Sequence, residues 1–250
     1  FLVSIALPSS LDLDFVEGLY SGISALAGES DAALVGGDTS SSENGISISI
    51  TVIGEVEKGR AILRKGARPG DRIFASGTLG SSALGLAALK MGVPGGMDSF
   101  IGRHLFPVHR VDLGRALLKS GCVTSMTDVS DGLLADLGHI AQSGGVGFEI
   151  DVNKIPARED FRIAAAAVGI DPRKLVLSGG EDFELVFTVD SGKVSQFLAS
   201  SETLGVAEIG RVLEDPGVRH VLNAEDLVAC GIGRGYDHFL KKGNGRKERG

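Results

Sequence analysis

The chain has 250 residues, 43% of them hydrophobic, which is enough apolar material for one substantial core or two modest ones and excludes a disordered chain as the default. A formal net charge of -7 argues against a nucleic-acid surface, which needs clustered cations, and leaves metal ions as the route to any polyanionic ligand. Cys122 and Cys230 lack metal-ligand spacing, no apolar run nears the ~20 residues of a membrane span, and FLVSIALPSS lacks the basic flank of a signal peptide, so a reduced, cytoplasmic protein without a membrane partner is expected.

Residues 1–7 read as a buried strand closed by Pro8-Ser9-Ser10, and a helix follows from about Asp12 with Phe15, Leu19, Ile23 and Leu26 at helical spacing. Residues 32–35 read as a short apolar strand running into Gly36-Gly37-Asp38-Thr39. Residues 46–52 alternate Ile46, Ile48, Ile50 and Val52 with Ser47, Ser49 and Thr51, the pattern of a half-buried strand. Phe1 is not Met and lies inside an apolar run; one helix with two or three strands seldom closes a core alone, so a preceding segment is expected. The basic stretch that ends in the turn Pro69-Gly70-Asp71 marks a linker at 58–71 between an incomplete first domain, 1–57, and a second α/β domain, 72–240. In the second domain the pattern predicts strands at 73–76, 123–127, 147–152, 175–177, 184–189, 206–213 and 218–222, with helices at 82–91, 109–120, 131–143, 160–168 and 193–200. The tail KKGNGRKERG, 241–250, reads as a disordered basic end.

Three acidic, glycine-bearing turns stand out: VGGDTS ending at Ser40, TDVSDGL from Thr127, and SGGEDFEL from Ser178, each expected to follow an apolar strand. Carboxylates that glycine allows close to a ligand form a hard oxygen site suited to Mg²⁺ and phosphate. Ser130 or Asp131 is expected to cap the following helix, whose N-terminus also favours an anion. Taken singly, Asp131 can be only a cap, Gly36-Gly37 only a turn and Glu181-Asp182 only an exposed loop; their joint occurrence favours a site. GTLGSSALG at 77–85 lacks the Gly-Lys-Ser/Thr ending of a phosphate loop and reads as a strand-to-helix turn. The histidines show no ligand spacing and are read as structural or surface residues.

In order along the chain, VGGDTS, GRAILRKGARPGD, TDVSDGLLADLGHI, LSGGEDFELVFTV and GYDHF resemble thiamine-monophosphate kinase, with the match running from about Phe1 to Phe239. The resemblance implies an aminoimidazole ribonucleotide synthetase-like fold of two α/β (α+β) domains, each a mixed sheet backed by helices. It makes 1–57 the remainder of an ATP- and metal-binding domain through which two subunits form a homodimer. By position it implies Asp38, Asp128 and Asp131 as Mg²⁺ ligands, and Tyr20, Gly37, Arg64 and Ser130 as contacts for ATP. Glu181 and Tyr236 then meet thiamine monophosphate. The resemblance further implies an earlier acidic motif and a substrate-binding histidine ahead of Phe1.

The implied reaction needs no general base, because an acceptor phosphate is already ionised near neutral pH; positioning and charge neutralisation remain, so no residue is assigned as base or nucleophile. Two alternatives stand beside it: another enzyme of the superfamily, of the hydrogenase maturation or purine synthesis type, and a non-catalytic metal-binding domain.

Overall fold

The computed structural model describes residues 1–92, 95–226 and 232; Tyr236, the GYDHF motif and the tail lie outside the described residues. The chain divides into two compact units, Phe1–Arg60 and a second that begins at Ala61.

The first unit is a three-stranded sheet with a helix. Strand β1, Leu2–Leu7, is central, pairing in parallel with β2, Gly36–Ser41, and antiparallel with β3, Ser47–Thr51, while helix α1, Leu13–Glu29, joins β1 to β2. Alternation along β1 buries Val3 and Ile5 and exposes Ser4. On α1 a stripe of half-buried Val16, Leu19, Tyr20, Ile23 and Ala27 follows helical spacing.

Two sequence expectations need correction here. The strand is not 32–35 but the glycine-acid segment itself, and the apolar Val35 is 73% exposed. A Cβ on Gly37 would stand 1.8 Å from the Val3 carbonyl, so only glycine lets β2 approach β1. The isoleucines of β3 are exposed in this chain rather than half-buried. Ile48 pairs with Ile5 and Ile50 with Val3, so they share the buried residues' face of the sheet but sit on its open edge.

The second unit is a six-stranded mixed sheet between two helical layers. Its order is β5 (Val123–Val129), β7 (Glu184–Val189), β4 (Arg72–Ser76), β8 (Val206–Leu213), β6 (Gly147–Asp151), β9 (Arg219–Leu222), antiparallel except for the β6–β9 pair. Period-2 alternation feeds both faces. Ile73, Ala75 and Val186 face the larger core, built with α2 (Ser81–Met91), α5 (Leu133–Gly144), α6 (Phe161–Ala167) and α7 (Pro172–Ser178). Phe74, Phe187 and Val189 face a smaller one with Leu117 of α4 (Val111–Ser120) and Phe197 of α8 (Val194–Ser201), where the Phe74 and Phe187 rings stack at 5.7 Å. The turn before β4 is tied down by Asp71, whose carboxylate accepts from the Arg68 N–H at 3.0 Å and the Thr124 hydroxyl at 2.7 Å.

Residues 175–177 are helical, not a strand. Asp171 caps α7 by accepting from the Arg173 N–H at 2.8 Å, and Pro172 occupies the first turn. The helix α3, Asp98–Leu105, was absent from the sequence reading; it has little apolar content and buries only Phe100. The turn SGGEDFEL therefore follows a helix rather than a strand.

Candidate functional site

Asp128 lies at the end of β5, and the chain then turns through Ser130, Asp131 and Gly132 into α5. Neither Ser130 nor Asp131 caps that helix, contrary to expectation: the capping position falls on Gly132, at φ 111°, and no side chain bonds there. The tie runs the other way. Asp136, buried in the first turn of α5, reaches back and accepts the N–H groups of both Ser130 and Asp131 at 3.1 Å. Burial pushes the Asp136 carboxyl up to about 6, reinforced by the charges of Asp131 and Asp128 and opposed by the two N–H donors.

Carboxylate oxygens of Asp131 and Asp136 and a ring nitrogen of His139 lie within 4.8 Å of one another. Among the described residues Asp128 and Asp131 form no ion pair. A hard divalent cation such as Mg²⁺ suits that oxygen-rich donor set. Arg64 stands beside it: its Nε donates to the Thr127 hydroxyl at 3.1 Å, and the Met126 N–H bonds to the Leu63 carbonyl, laying residues 63–64 along β5.

The loop 179–183 is joined to this turn along its length. The Glu181 N–H donates to the Ser130 carbonyl at 2.9 Å and the Phe183 N–H to the Val129 carbonyl at 3.0 Å. A Cβ on Gly180 would stand 2.4 Å from the Ser130 carbonyl oxygen, which explains the glycine. Glu181 and Phe183 both adopt the left-handed region, at φ 64° and 51°, a conformation costing about 1–2 kcal/mol per non-glycine residue. The loop tolerates that because Asp182 between them is buried and its carboxylate accepts from the N–H groups of Gly80 and Ser82 at 2.6 and 2.9 Å. Burial raises the Asp182 carboxyl to about 6.

The outcome is a cleft of about 500 Å³ lined by Ser130, Asp131, Glu181, Phe183, Leu86 and Lys90, among others. Three residues singled out from sequence, Ser130, Asp131 and Glu181, meet in it. Asp38 and Gly37 lie on β2 and Tyr20 on α1, all in the first unit, with Asp38 exposed and Tyr20 half-buried. Sequence reasoning missed Asp136, Phe183, Lys90 and His139. Asp136 and His139 sit three apart on α5, a spacing that signals a shared helix face. A separate cleft of about 520 Å³, lined by Arg158, Arg162 and Arg173, contains none of the residues singled out from sequence.

The family model described as AIR synthase related protein, N-terminal domain, matches residues 1–56, and its C-terminal counterpart matches residues 68–223. The thiamine-monophosphate kinase of Aquifex aeolicus (strain VF5) is 38% identical over 220 residues, covering 87% of this chain and 68% of the relative. That of Bacillus subtilis (strain 168) is 34% identical over 248 residues, covering 96% and 74%. Among solved structures, one described as AaThiL complexed with AMPPCP and TMP aligns with a TM-score of 0.74 at 34% identity, over 88% of this chain and 68% of that one.

Proposed function

The chain belongs to the thiamine-monophosphate kinase family of AIR synthase related proteins, and from that premise we propose that it moves the γ-phosphate of ATP onto thiamine monophosphate, giving thiamine diphosphate and ADP. The observation that carries this reading is the single cleft in which Ser130 and Asp131 of one turn face Glu181 of the next.

A terminal oxygen of the thiamine phosphate attacks the γ-phosphorus in line. The bond from γ-phosphorus to the β,γ-bridging oxygen breaks, and ADP leaves with the electron pair. No proton moves in that step, because the acceptor is already ionised, so the chain supplies position and charge rather than a base. Asp128 and Asp131 would hold Mg²⁺, and the ion would supply positive charge that screens the two phosphates from each other. Ser130 and Arg64 would hold the nucleotide, with Arg64 adding fixed positive charge. Glu181 would hold the thiamine phosphate. Two copies pair through the open sheet edge of the first unit, where Ile48 and Ile50 are exposed.

The test is incubation of the chain with ATP, Mg²⁺ and thiamine monophosphate, with chromatographic separation of thiamine mono- and diphosphate. Thiamine diphosphate formed in step with ADP supports the assignment. ADP released equally fast without thiamine monophosphate overturns it.

A further inference from the structure

Helix α3 packs tightly on α2: a Cβ on Gly85 would stand 2.1 Å from the Phe100 carbonyl oxygen. This contact brings Arg103, whose side chain is only 15% exposed, beneath the loop 179–183. One nitrogen, Nη2, donates both to the backbone carbonyl of Asp182, at 3.0 Å, and to the carboxylate of Glu184. The carboxylate has other partners, because Arg110 donates to it through Nε at 2.7 Å and through Nη2, and the Ser76 hydroxyl through Oγ at 2.6 Å. The carbonyl does not: among the described residues no other hydrogen bond reaches it.

That carbonyl and the Phe183 N–H are the two ends of one peptide unit. Arg103 holds the first and the Val129 carbonyl holds the second. Rotation of this peptide is the motion that would release Phe183 from its left-handed φ of 51° into the ordinary negative region. A strained backbone persists only where its surroundings over-determine it, and here the two ends are held by different elements.

We propose that Arg103 is a positioning residue for the acceptor: by locking the Asp182–Phe183 peptide it keeps Glu181 and Phe183 turned into the cleft that receives thiamine monophosphate. The inference rests on the functional reading above for the identity of the ligand. The locked peptide itself follows from the hydrogen bonds alone.

The test uses the 250-residue chain and the variants R103M, R103K and R110M. Amide hydrogen exchange is read at Glu181 and Phe183, and calorimetry measures thiamine monophosphate in the presence of Mg²⁺ and a non-hydrolysable ATP analogue. R103M should raise exchange at the two amides, and weaken thiamine monophosphate binding, by about tenfold, the worth of one charge-assisted hydrogen bond, with exchange along β7 at the parental level. R103K, one atom shorter but still a donor, gives a smaller rise of the same sign. R110M removes a guanidinium from the same carboxylate but none from the loop, and leaves the Phe183 amide as in the parent. Exchange at Phe183 that stays parental in R103M, or that rises only in step with β7, overturns the assignment. If R103M does not fold, R103K decides alone: a rise confined to Glu181 and Phe183 supports the lock, and parental exchange refutes it. A parent chain that binds no thiamine monophosphate refutes the functional reading, while the exchange measurement still judges Arg103.

Discussion

Glu184→Gln gives a direct measure of what the buried charge cluster contributes. Glu184 opens β7, its side chain is 1% exposed, and it faces two guanidiniums and the Ser76 hydroxyl. Gly77, at φ 55°, leaves the room: a Cβ there would stand 2.1 Å from a Glu184 carboxylate oxygen. Glutamine keeps the shape but removes the charge and turns an amide donor toward groups that are themselves donors. Removing one partner from a buried ion pair costs about 3–5 kcal/mol, since the remaining charge is left uncompensated. Arg110 is 30% exposed and can take water, whereas Arg103 cannot readily do so, which puts the cost at the lower end, about 3 kcal/mol. For a domain of this size that corresponds to a fall in Tm of about 6–12 °C. Scanning calorimetry of E184Q beside the parent measures it. A fall of less than about 2 °C would show that the guanidiniums are satisfied without the carboxylate and would refute the reasoning. The double variant E184Q/R110M should be less destabilised than the sum of the two single changes, because it leaves one unpaired guanidinium rather than two.

A pH signature follows from Asp182, whose carboxyl is raised from 3.8 to about 6 by burial. The folded state keeps this proton to higher pH than the unfolded state, so the ionised group is a penalty present above pH 6 and relieved as pH falls through 6 toward 4. Between pH 7 and pH 5 the parent should gain about 1 kcal/mol relative to D182N in urea unfolding; a gap that does not change with pH rejects the buried charge. Gly180→Ala places a methyl 2.4 Å from the Ser130 carbonyl oxygen and forces the two loops apart; thiamine diphosphate formation should drop by about a hundredfold with the far-UV spectrum unchanged. Asp131→Asn should weaken Mg²⁺-dependent ATP binding without lowering Tm, because the Asp131 side chain caps nothing; equal affinities at low Mg²⁺ by calorimetry count against a metal role. Ile50→Lys should convert a dimer to a monomer in sedimentation velocity, and a parent chain that already sediments as a monomer removes that interface.

The central sheet was readable because its inner strands are short apolar runs bounded by turn signals: β7 was expected at 184–189 and lies at Glu184–Val189. Errors arose where local and tertiary signals conflict. Leu175-Val176-Leu177 is a short apolar run that periodicity cannot assign, and the deciding signal was the preceding Asp171-Pro172, a helix start. Gly36-Gly37 looked like a turn because glycine weakens strands, yet a carbonyl on the neighbouring strand demands it there. Within the cleft, Ser130, Asp131 and Glu181 could be picked out because glycine-acid motifs expose them. Asp136 could not, because it sits inside the apolar run of α5 and acts backwards on residues five and six positions earlier. Arg103 belongs to the helix that sequence reading passed over, and its partners are about eighty positions away.

The distribution of charge ties these observations together. Cations are concentrated beneath the loop, where Arg103 and Arg110 share Glu184 and Arg103 alone also donates to the loop, at the Asp182 carbonyl. Anions are concentrated at the turn, where Asp128, Asp131 and Asp136 stand together, and the last is raised to about 6 partly by its neighbours' charges. Had Arg103 reached the turn instead, it would have paired with the carboxylates and weakened the proposed affinity for a divalent cation. Had the acidic turn lacked Asp136, the N–H groups of Ser130 and Asp131 would have lost their acceptor, and the loop bonded to Ser130 would have lost a fixed edge. Thus the turn carries clustered carboxylates while being mechanically held. On the proposed function these two properties serve phosphate transfer, since clustered carboxylates suit a divalent cation and a rigid pair of loops sets the distance between donor and acceptor.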